Sequence, residues 1–261
     1  MLRLKNPLSF PGGNPGVNQS HPAASGLMFS AVPTATGTAT NLVTGSSATT
    51  GSAPTATIWG GLGPANYFSA AGNYLTIAGL QTAIFKQGTL AAFFTITTTS
   101  TNVILGQVPS SGTGVILLGN SGTLVLQTNG VIYSAGYALA LNTPYFVAVS
   151  FSGTSCNVVL LNLKTGVVLY KNITIVIPTG TFSGSMALGN YSAHLASLLG
   201  NLGPCMGATC FLSLPQLIQW AQTPWDFWYP RTFDGIFLSG LKKAVPAHFS
   251  RGFPDGGVQV T

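Results

Sequence analysis

Carboxylates are the chemistry-bearing side chains this sequence most conspicuously lacks. It has no glutamate, and no aspartate precedes Asp226; Asp234 and Asp255 complete the set. General acid–base catalysis, hard-cation sites and Ser-His-Asp triads all need a carboxylate to take a proton, hold a cation or orient a histidine. A triad would have to recruit one of these three aspartates. No Gly-x-Ser-x-Gly elbow exists to present its serine: the nearest run, Gly119-Asn120-Ser121-Gly122-Thr123, has its second glycine one position early and reads as a turn. No Gly-Lys-Ser/Thr phosphate loop occurs either. His21 stands before Pro22 with no acid near it in sequence, and reads as a structural histidine. Cys156, Cys205 and Cys210 make an odd count and read as free thiols, with a Cys205–Cys210 loop disulfide as the alternative. With His194 they match no standard zinc spacing. The expectation is a protein that is not an enzyme and uses no cofactor or metal.

One constellation remains. Trp225, Asp226, Trp228 and Tyr229, with Phe227 among them, form a dense aromatic run around the first carboxylate. Exposed, such rings would stack on a glycan while Asp226 held its hydroxyls. Buried, they would close the end of a sandwich and anchor the returning chain. Each ring buries about 150–250 Å², which makes burial the larger stabilising effect. Closure is therefore expected, and glycan binding is the alternative.

The scaffold that must position these residues is 261 residues long, 46% apolar and only 5% charged, against about 25% charged in ordinary globular chains. A mean hydropathy of +0.44 raises the question of a membrane. The apolar runs, such as Leu90–Ile96 and Val158–Leu161, are strand-length, and none approaches the ~20 residues of a spanning helix. No apolar h-region follows Arg3 and Lys5 before Pro11, so no signal peptide is expected. With 15 Phe, 8 Tyr and 4 Trp the chain is not of disordered composition. A surface of Ser, Thr, Asn, Gln and Gly suits close packing in an assembly, because burying a hydroxyl or amide costs far less than burying a charge.

The net charge of +6 sits mostly at the ends: Arg3 and Lys5 first, Arg231, Lys242, Lys243 and Arg251 last, with Lys86, Lys164 and Lys171 between. Basic arms that grip an acidic neighbour are the functional reading. The charges are too dispersed for a nucleic-acid footprint.

Short runs rich in β-branched and aromatic residues recur from Tyr67 to Leu188, separated by turn clusters. They predict strands at Tyr67–Phe68, Tyr74–Ala78, Leu90–Thr97, Val103–Gly106, Val115–Leu118, Leu124–Thr128, Val131–Ser134, Tyr145–Phe151, Cys156–Asn162, Val167–Asn172 and Ser185–Leu188, after a first strand at Gly26–Val32. Gly119–Gly122, Thr128-Asn129-Gly130 and Lys164-Thr165-Gly166 are hairpin signals. Residues 33–57 form a Thr/Ser/Ala/Gly tract that reads as a long loop or a weak edge strand. One helix is expected at Leu214–Ala221, with Ser213 as N-cap, Pro215 in the first turn and Thr223-Pro224 as its stop. Strands this frequent without intervening helices predict an all-β sandwich. The division expected is an extended N-terminal arm at 1–26, the sandwich at 27–232 and a basic C-terminal tail at 233–261.

The order of segments resembles the concanavalin A-like, LamG-type jelly-roll domains of tailed-bacteriophage structural proteins. The resemblance rests on Asn18-Gln19-Ser20-His21-Pro22-Ala23-Ala24-Ser25-Gly26-Leu27 leading into the first strand, then Tyr74-Leu75-Thr76-Ile77 and Phe93-Phe94-Thr95-Ile96. It continues through Val103-Ile104-Leu105-Gly106-Gln107 and Pro144–Thr154 to Pro224-Trp225-Asp226-Phe227-Trp228-Tyr229-Pro230-Arg231. It implies a jelly-roll β-sandwich and a virion protein whose partners are the major capsid protein or other virion subunits. Glycosidases on this fold use paired glutamates, and calcium-binding members use aspartates in loops; this chain departs from both patterns. A capsid decoration or cement protein on the capsid exterior, homo-oligomeric in the particle, is the resulting expectation. A carbohydrate-binding or host-adhesion module on a tail or head fibre is the alternative.

Overall fold

The computed structural model describes residues 2–3, 15–50, 52–59, 62–70, 72–84, 87–107, 115–176, 181–190 and 197–228. All of them belong to one unit within residues 1–230. The strands in the first part of the chain are β1 (Leu2–Arg3), β2 (Leu27–Pro33), β3 (Ala39–Asn41), β4 (Thr49–Thr50), β5 (Thr55–Ile58) and β6 (Pro64–Phe68). There follow β7 (Leu75–Ile84), β8 (Gln87–Phe94), β9 (Asn102–Gln107), β10 (Val115–Asn120), β11 (Thr123–Thr128) and β12 (Val131–Ala138). The last are β13 (Tyr145–Ser152), β14 (Ser155–Asn162), β15 (Val167–Thr174), β16 (Thr181–Leu188) and β17 (Gly200–Ala208), before the helix α1 (Leu214–Gln222).

Two antiparallel sheets make the sandwich. One runs β1-β15-β14-β13-β8-β17-β2-β3, with β6 joined to β17 and β5 to β6; the other runs β12-β11-β10-β9-β16-β7-β4. The described residues thus form an all-β sandwich with one short α-helix after the last strand, as the strand spacing implies.

The central strands β8 and β13 of the first sheet are apolar on both faces, unlike antiparallel strands that leave one face to water. In β8, Leu90, Ala92 and Phe94 enter the core between the sheets, whereas Ala91 and Phe93 point outward into a second apolar cluster. In β13, Val147, Val149 and Phe151 face inward and Phe146 and Ala148 outward. The register Phe146↔Phe93 and Ala148↔Ala91 sets paired aromatic and paired small residues on the outer face. Opposed alanines leave room for bulky rings arriving from elsewhere.

Hairpins form where asparagine and glycine foretell them. Asn129 (φ 50°) and Gly130 (φ 77°) join β11 to β12, and Ser121 (φ 48°) and Gly122 (φ 71°) join β10 to β11, in the left-handed conformation such tight turns need. The tract at 33–57 is not one loop: it supplies β3, β4 and β5, all short and marginal in the sheets. The sequence pattern misses β17 altogether, although this strand is central, lying between β8 and β2. Its Gly203 and Pro204 sit where the β17–β8 register shifts, between Leu202 and Cys205, so the proline falls at a bulge. Gly207 is required by packing: a Cβ there would stand 2.4 Å from Phe29 Cε1.

Candidate functional site

The outer face of the large sheet is covered by α1 and the turns that follow it. Ser213 precedes the helix, and Gln216 Oε1 accepts from Ser213 N at 2.8 Å and from Ser213 Oγ at 2.9 Å, fixing the first turn. Leu217, Trp220 and Ala221 are the buried side of the helix. After Thr223 two tight turns follow, Asp226 N donating to Thr223 O and Trp228 N to Trp225 O, each at 3.0 Å. They lower successive rings onto the sheet. Trp225 lies flat on Phe93, with centroids 3.9 Å apart and planes 9° apart. Trp228 meets Phe93 at 5.4 Å and Phe227 at 4.9 Å, both edge-on.

These rings are interior. Trp225 is 5% exposed and Trp228 0% exposed. Trp228 donates its indole N–H to the buried Ser30 Oγ at 3.1 Å, a bond spanning most of the chain. Neither indole can therefore stack on a glycan, and the exposed platform considered from the sequence is absent at these two positions. The physical reason is area: a ring that can cover an apolar sheet face gains more there than at a solvent boundary. Tyr229, the fourth residue of that expectation, lies outside the described residues.

The segment before β2 meets this closure from the other side. Gly16 N donates to Trp228 O at 2.7 Å and Asn18 N to Phe227 O at 2.9 Å. Asn18 Nδ2 adds a bond to Asp226 O at 3.1 Å. His21 packs at a tilt against Trp220 and edge-on against Phe227, with centroids 4.6 and 5.4 Å away. It caps the 3-10 turn Pro22–Ala24, its Nδ1 accepting from Ala23 N at 3.1 Å. That assignment puts the imidazole proton on Nε2. Burial pushes the His21 pKa down to about 4, against a smaller upward pull from Asp226. The ring is neutral near pH 7, because burial strips the charged form of its hydration. Two of the segments on which the resemblance rests, the one entered at Asn18 and the one entered at Pro224, thus meet in space between Asn18 and Trp228.

Of the six basic residues assigned to the arms, only Arg3 lies within the described residues. It belongs to β1, whose Leu2 and Arg3 pair antiparallel with Val168 and Val167 of β15. The backbone of an edge strand needs hydrogen-bond partners, and here residues of the same chain supply some of them. Lys5, Arg231, Lys242, Lys243 and Arg251 lie outside the described residues. The three cysteines are unbridged. Burial pushes the Cys156 thiol up to about 12 and raises Cys205 and Cys210 as well, the reverse of a reactive thiolate. Among the described residues no group of three or more His, Cys, Asp or Glu side chains converges as a metal site would require.

Between the His21 segment and α1 lies a cleft of about 210 Å³, lined by Ser20, His21, Gln216, Gln219, Trp220 and Asp226 among others. It is the place where the described histidine, the described carboxylate and the helix amides come together. The sequence singled out His21 and Asp226 separately; their distance along the chain concealed their meeting. A larger groove of about 760 Å³, lined chiefly by Ala35, Ala56, Ile58 and Pro64, separates the β5–β6 hairpin from the turn at Thr34.

No protein-family model matches the sequence, and no curated protein sequence matches it significantly. Solved structures are similar in fold. The botulinum neurotoxin serotype D binding domain has a TM-score of 0.54 at 10% identity, over 76% of this chain and 51% of that one. A Trypanosoma rangeli sialidase has a TM-score of 0.52 at 13% identity, over 83% of this chain and 36% of that one. The chain spans about half the length of the former and about a third of the latter. Full-length tailspike protein 2 of Escherichia coli O157:H7 bacteriophage CAB120 has a TM-score of 0.46 at 16% identity, over 72% and 26% of the two chains, too loose to carry an inference. At such identities the likeness establishes the β-sandwich fold alone.

Proposed function

We propose that this chain is a non-enzymatic structural protein of a tailed-bacteriophage particle, a capsid decoration or cement protein. It would bind neighbouring capsid subunits through an almost uncharged sandwich and through its basic end segments. The observation that carries the reading is the distribution of charge. Apart from Arg3, the described residues contain only Lys164, Lys171 and Asp226 as charged side chains, whereas nine Lys and Arg occur in the whole sequence. Exposed apolar residues are scattered over the same surface, with Ile58 84%, Val176 53% and Ile132 50% exposed. A neutral surface of this kind can be buried against a subunit without stripping water from ions. The resemblance of the paired segments around His21 and Trp225 to phage proteins supplies the context.

Charge also restricts the partner. Three aspartates cannot neutralise nine basic residues, so copies of this chain cannot satisfy each other's basic ends. The acidic surface those ends grip would belong to a different protein, the major capsid protein in the first instance. Contacts between copies would be uncharged.

Co-sedimentation of the full chain with undecorated capsid shells tests this. Binding is expected, and it should weaken as salt shortens the screening length from about 10 Å at 0.1 M to about 3 Å at 1 M. Joint replacement of Arg231, Lys242, Lys243 and Arg251 by alanine should weaken it at low salt and flatten the salt dependence. Failure to sediment with shells, together with binding to isolated tails or fibres, would replace decoration by host adhesion.

A further inference from the structure

We propose that the outer edge of β12 pairs, antiparallel, with the same edge of a second copy of this chain. The inference goes beyond the decoration reading and does not depend on it.

Strand length points to this edge. The other strands that end the two sheets are short: β1 and β4 have 2 residues each, β3 has 3 and β5 has 4. β12 has 8 and, among the described residues, pairs with β11 alone. An antiparallel strand with one partner turns about half of its N–H and C=O groups outward. Edges are usually blunted by shortness, charge, proline or a bulge. Beyond β1, β15 carries Lys171; beyond β4, β7 is interrupted by two register shifts against β16. β12 contains no Lys, Arg or Pro. Its bulge lies toward its far end, where the register steps from Val125↔Ser134 to Leu124↔Tyr137 and Gly136 takes φ 75°. Val131–Ser134 stay regular, each residue opposite one of β11.

The side chains there fit a copy of themselves. Val131, Ile132 and Val176 are all exposed. Val176 is held at the start of β12: its carbonyl accepts from Thr128 Oγ1 at 2.8 Å, and its N–H donates to Tyr133 Oη at 2.9 Å. A two-fold axis perpendicular to the sheet preserves its faces, so residues set opposite each other must point the same way. With the axis at Ile132, that residue meets its copy and Val131 meets Tyr133. Aliphatic and aromatic pairs of this kind stabilise antiparallel strands.

Charge selects the occupant. With nine Lys and Arg against three Asp, copies of the chain repel wherever charged surfaces meet. β12 and Val176 bring no charge to the contact, and Arg3 and Lys171 belong to β1 and β15 of the other sheet. Two copies can therefore join here without opposing like charges, whereas an acidic partner would gain nothing from β12.

Sedimentation velocity of the full chain from about 5 to about 200 μM, which brackets a micromolar Kd, tests the pairing. A concentration-dependent dimer is expected. Raising salt from about 0.1 to about 1 M should preserve or strengthen it by screening the repulsion between copies. Capsid binding through the basic ends weakens under the same change, so the two readings fail separately. Ile132→Lys, at an exposed position outside the tryptophan cluster, should keep the parent indole emission and weaken the dimer at least about tenfold, because it opposes two ammonium groups. Ile132→Cys should form an interchain disulfide on mild oxidation that the parent chain does not form. Ser134→Cys, which this register sets apart from its copy, should not. A monomer at every concentration would overturn the proposal. So would a dimer untouched by Ile132→Lys, or one that cross-links through Ser134→Cys and not through Ile132→Cys.

Discussion

Between the sheets the core is aliphatic and phenylalanine-rich, supplied by residues two apart on each strand, Leu90, Ala92 and Phe94 or Val147, Val149 and Phe151. On the outer face of the same strands the cluster is built on Ala91, Phe93, Phe146 and Ala148, beneath rings delivered by segments from opposite ends of the domain. The first is written into each strand by period-2 alternation. The second exists only once His21 has met Trp220 and Phe227, across about two hundred residues of sequence. Cooperativity therefore lies in the outer cluster, which ties the beginning of the domain to its end and completes the fold. Nature has also labelled it. Trp220, Trp225 and Trp228 belong to it and Trp59 packs against it, and the chain has no other tryptophan among its 4. Indole fluorescence therefore reports on the outer cluster alone.

The largest expected effect comes from removing the central ring of that closure. Trp228→Ala should cost about 3–5 kcal/mol, since it empties a wholly buried site and strips the buried Ser30 Oγ of its indole donor. Urea unfolding reads the loss, with a red shift of folded-state emission. Leu105→Ala, in the core between the sheets at 0% exposure, should cost about 2–4 kcal/mol by the same logic while leaving folded-state indole emission unchanged. Should Leu105→Ala shift that emission as far as Trp228→Ala does, the two clusters are one unit and the comparison breaks.

Acid should produce a smaller effect, confined to the outer cluster. His21 has a folded pKa of about 4 against an ordinary 6.5, so between those values the unfolded chain binds more protons than the folded one. Stability is then fully present above about pH 6.5 and falls as pH drops toward about 4. Denaturation midpoints followed by indole emission should decline through that window, and the slope attributable to His21 should vanish in His21→Gln, whose amide oxygen can still accept from Ala23 N. A midpoint in the parent chain that stays level from pH 6.5 to 4 would show that His21 does not couple to the closure. The smallest effect is at the helix start, where Ser213→Ala should cost about 0.5–1 kcal/mol, measured by the same urea titration.

Much of this architecture is legible in the sequence. β13, β14 and the hairpins at Gly119–Gly122 and Asn129-Gly130 follow directly from β-branched runs and turn chemistry, and α1 follows from Ser213, Pro215 and its apolar spacing. What escapes has physical reasons. In β17, Gly200, Gly203, Pro204 and Gly207 look like a loop because their demands come from neighbours: a Cβ at Gly200 would lie 2.1 Å from Thr95 O, and one at Gly207 would strike Phe29. The short strands within 33–57 owe their pairing to partners, not to their own pattern. The aromatic run announces that something large is buried or displayed, and for Trp225 and Trp228 only the opposing Phe93 and Ser30 decide which. The cleft beside it was hidden for the same reason: its walls come from Ser20–His21 and from Gln216–Asp226, which no local motif connects.

The central claim, a structural protein seated on a capsid, is met most directly by a cryo-EM map of a tailed-phage particle that contains this chain. Density is expected on the capsid lattice, with the sandwich resting on neighbouring capsid subunits and residues 233–261 reaching acidic surface on the major capsid protein. Density confined to the tail or to a projecting fibre, with the capsid lattice bare, would contradict it.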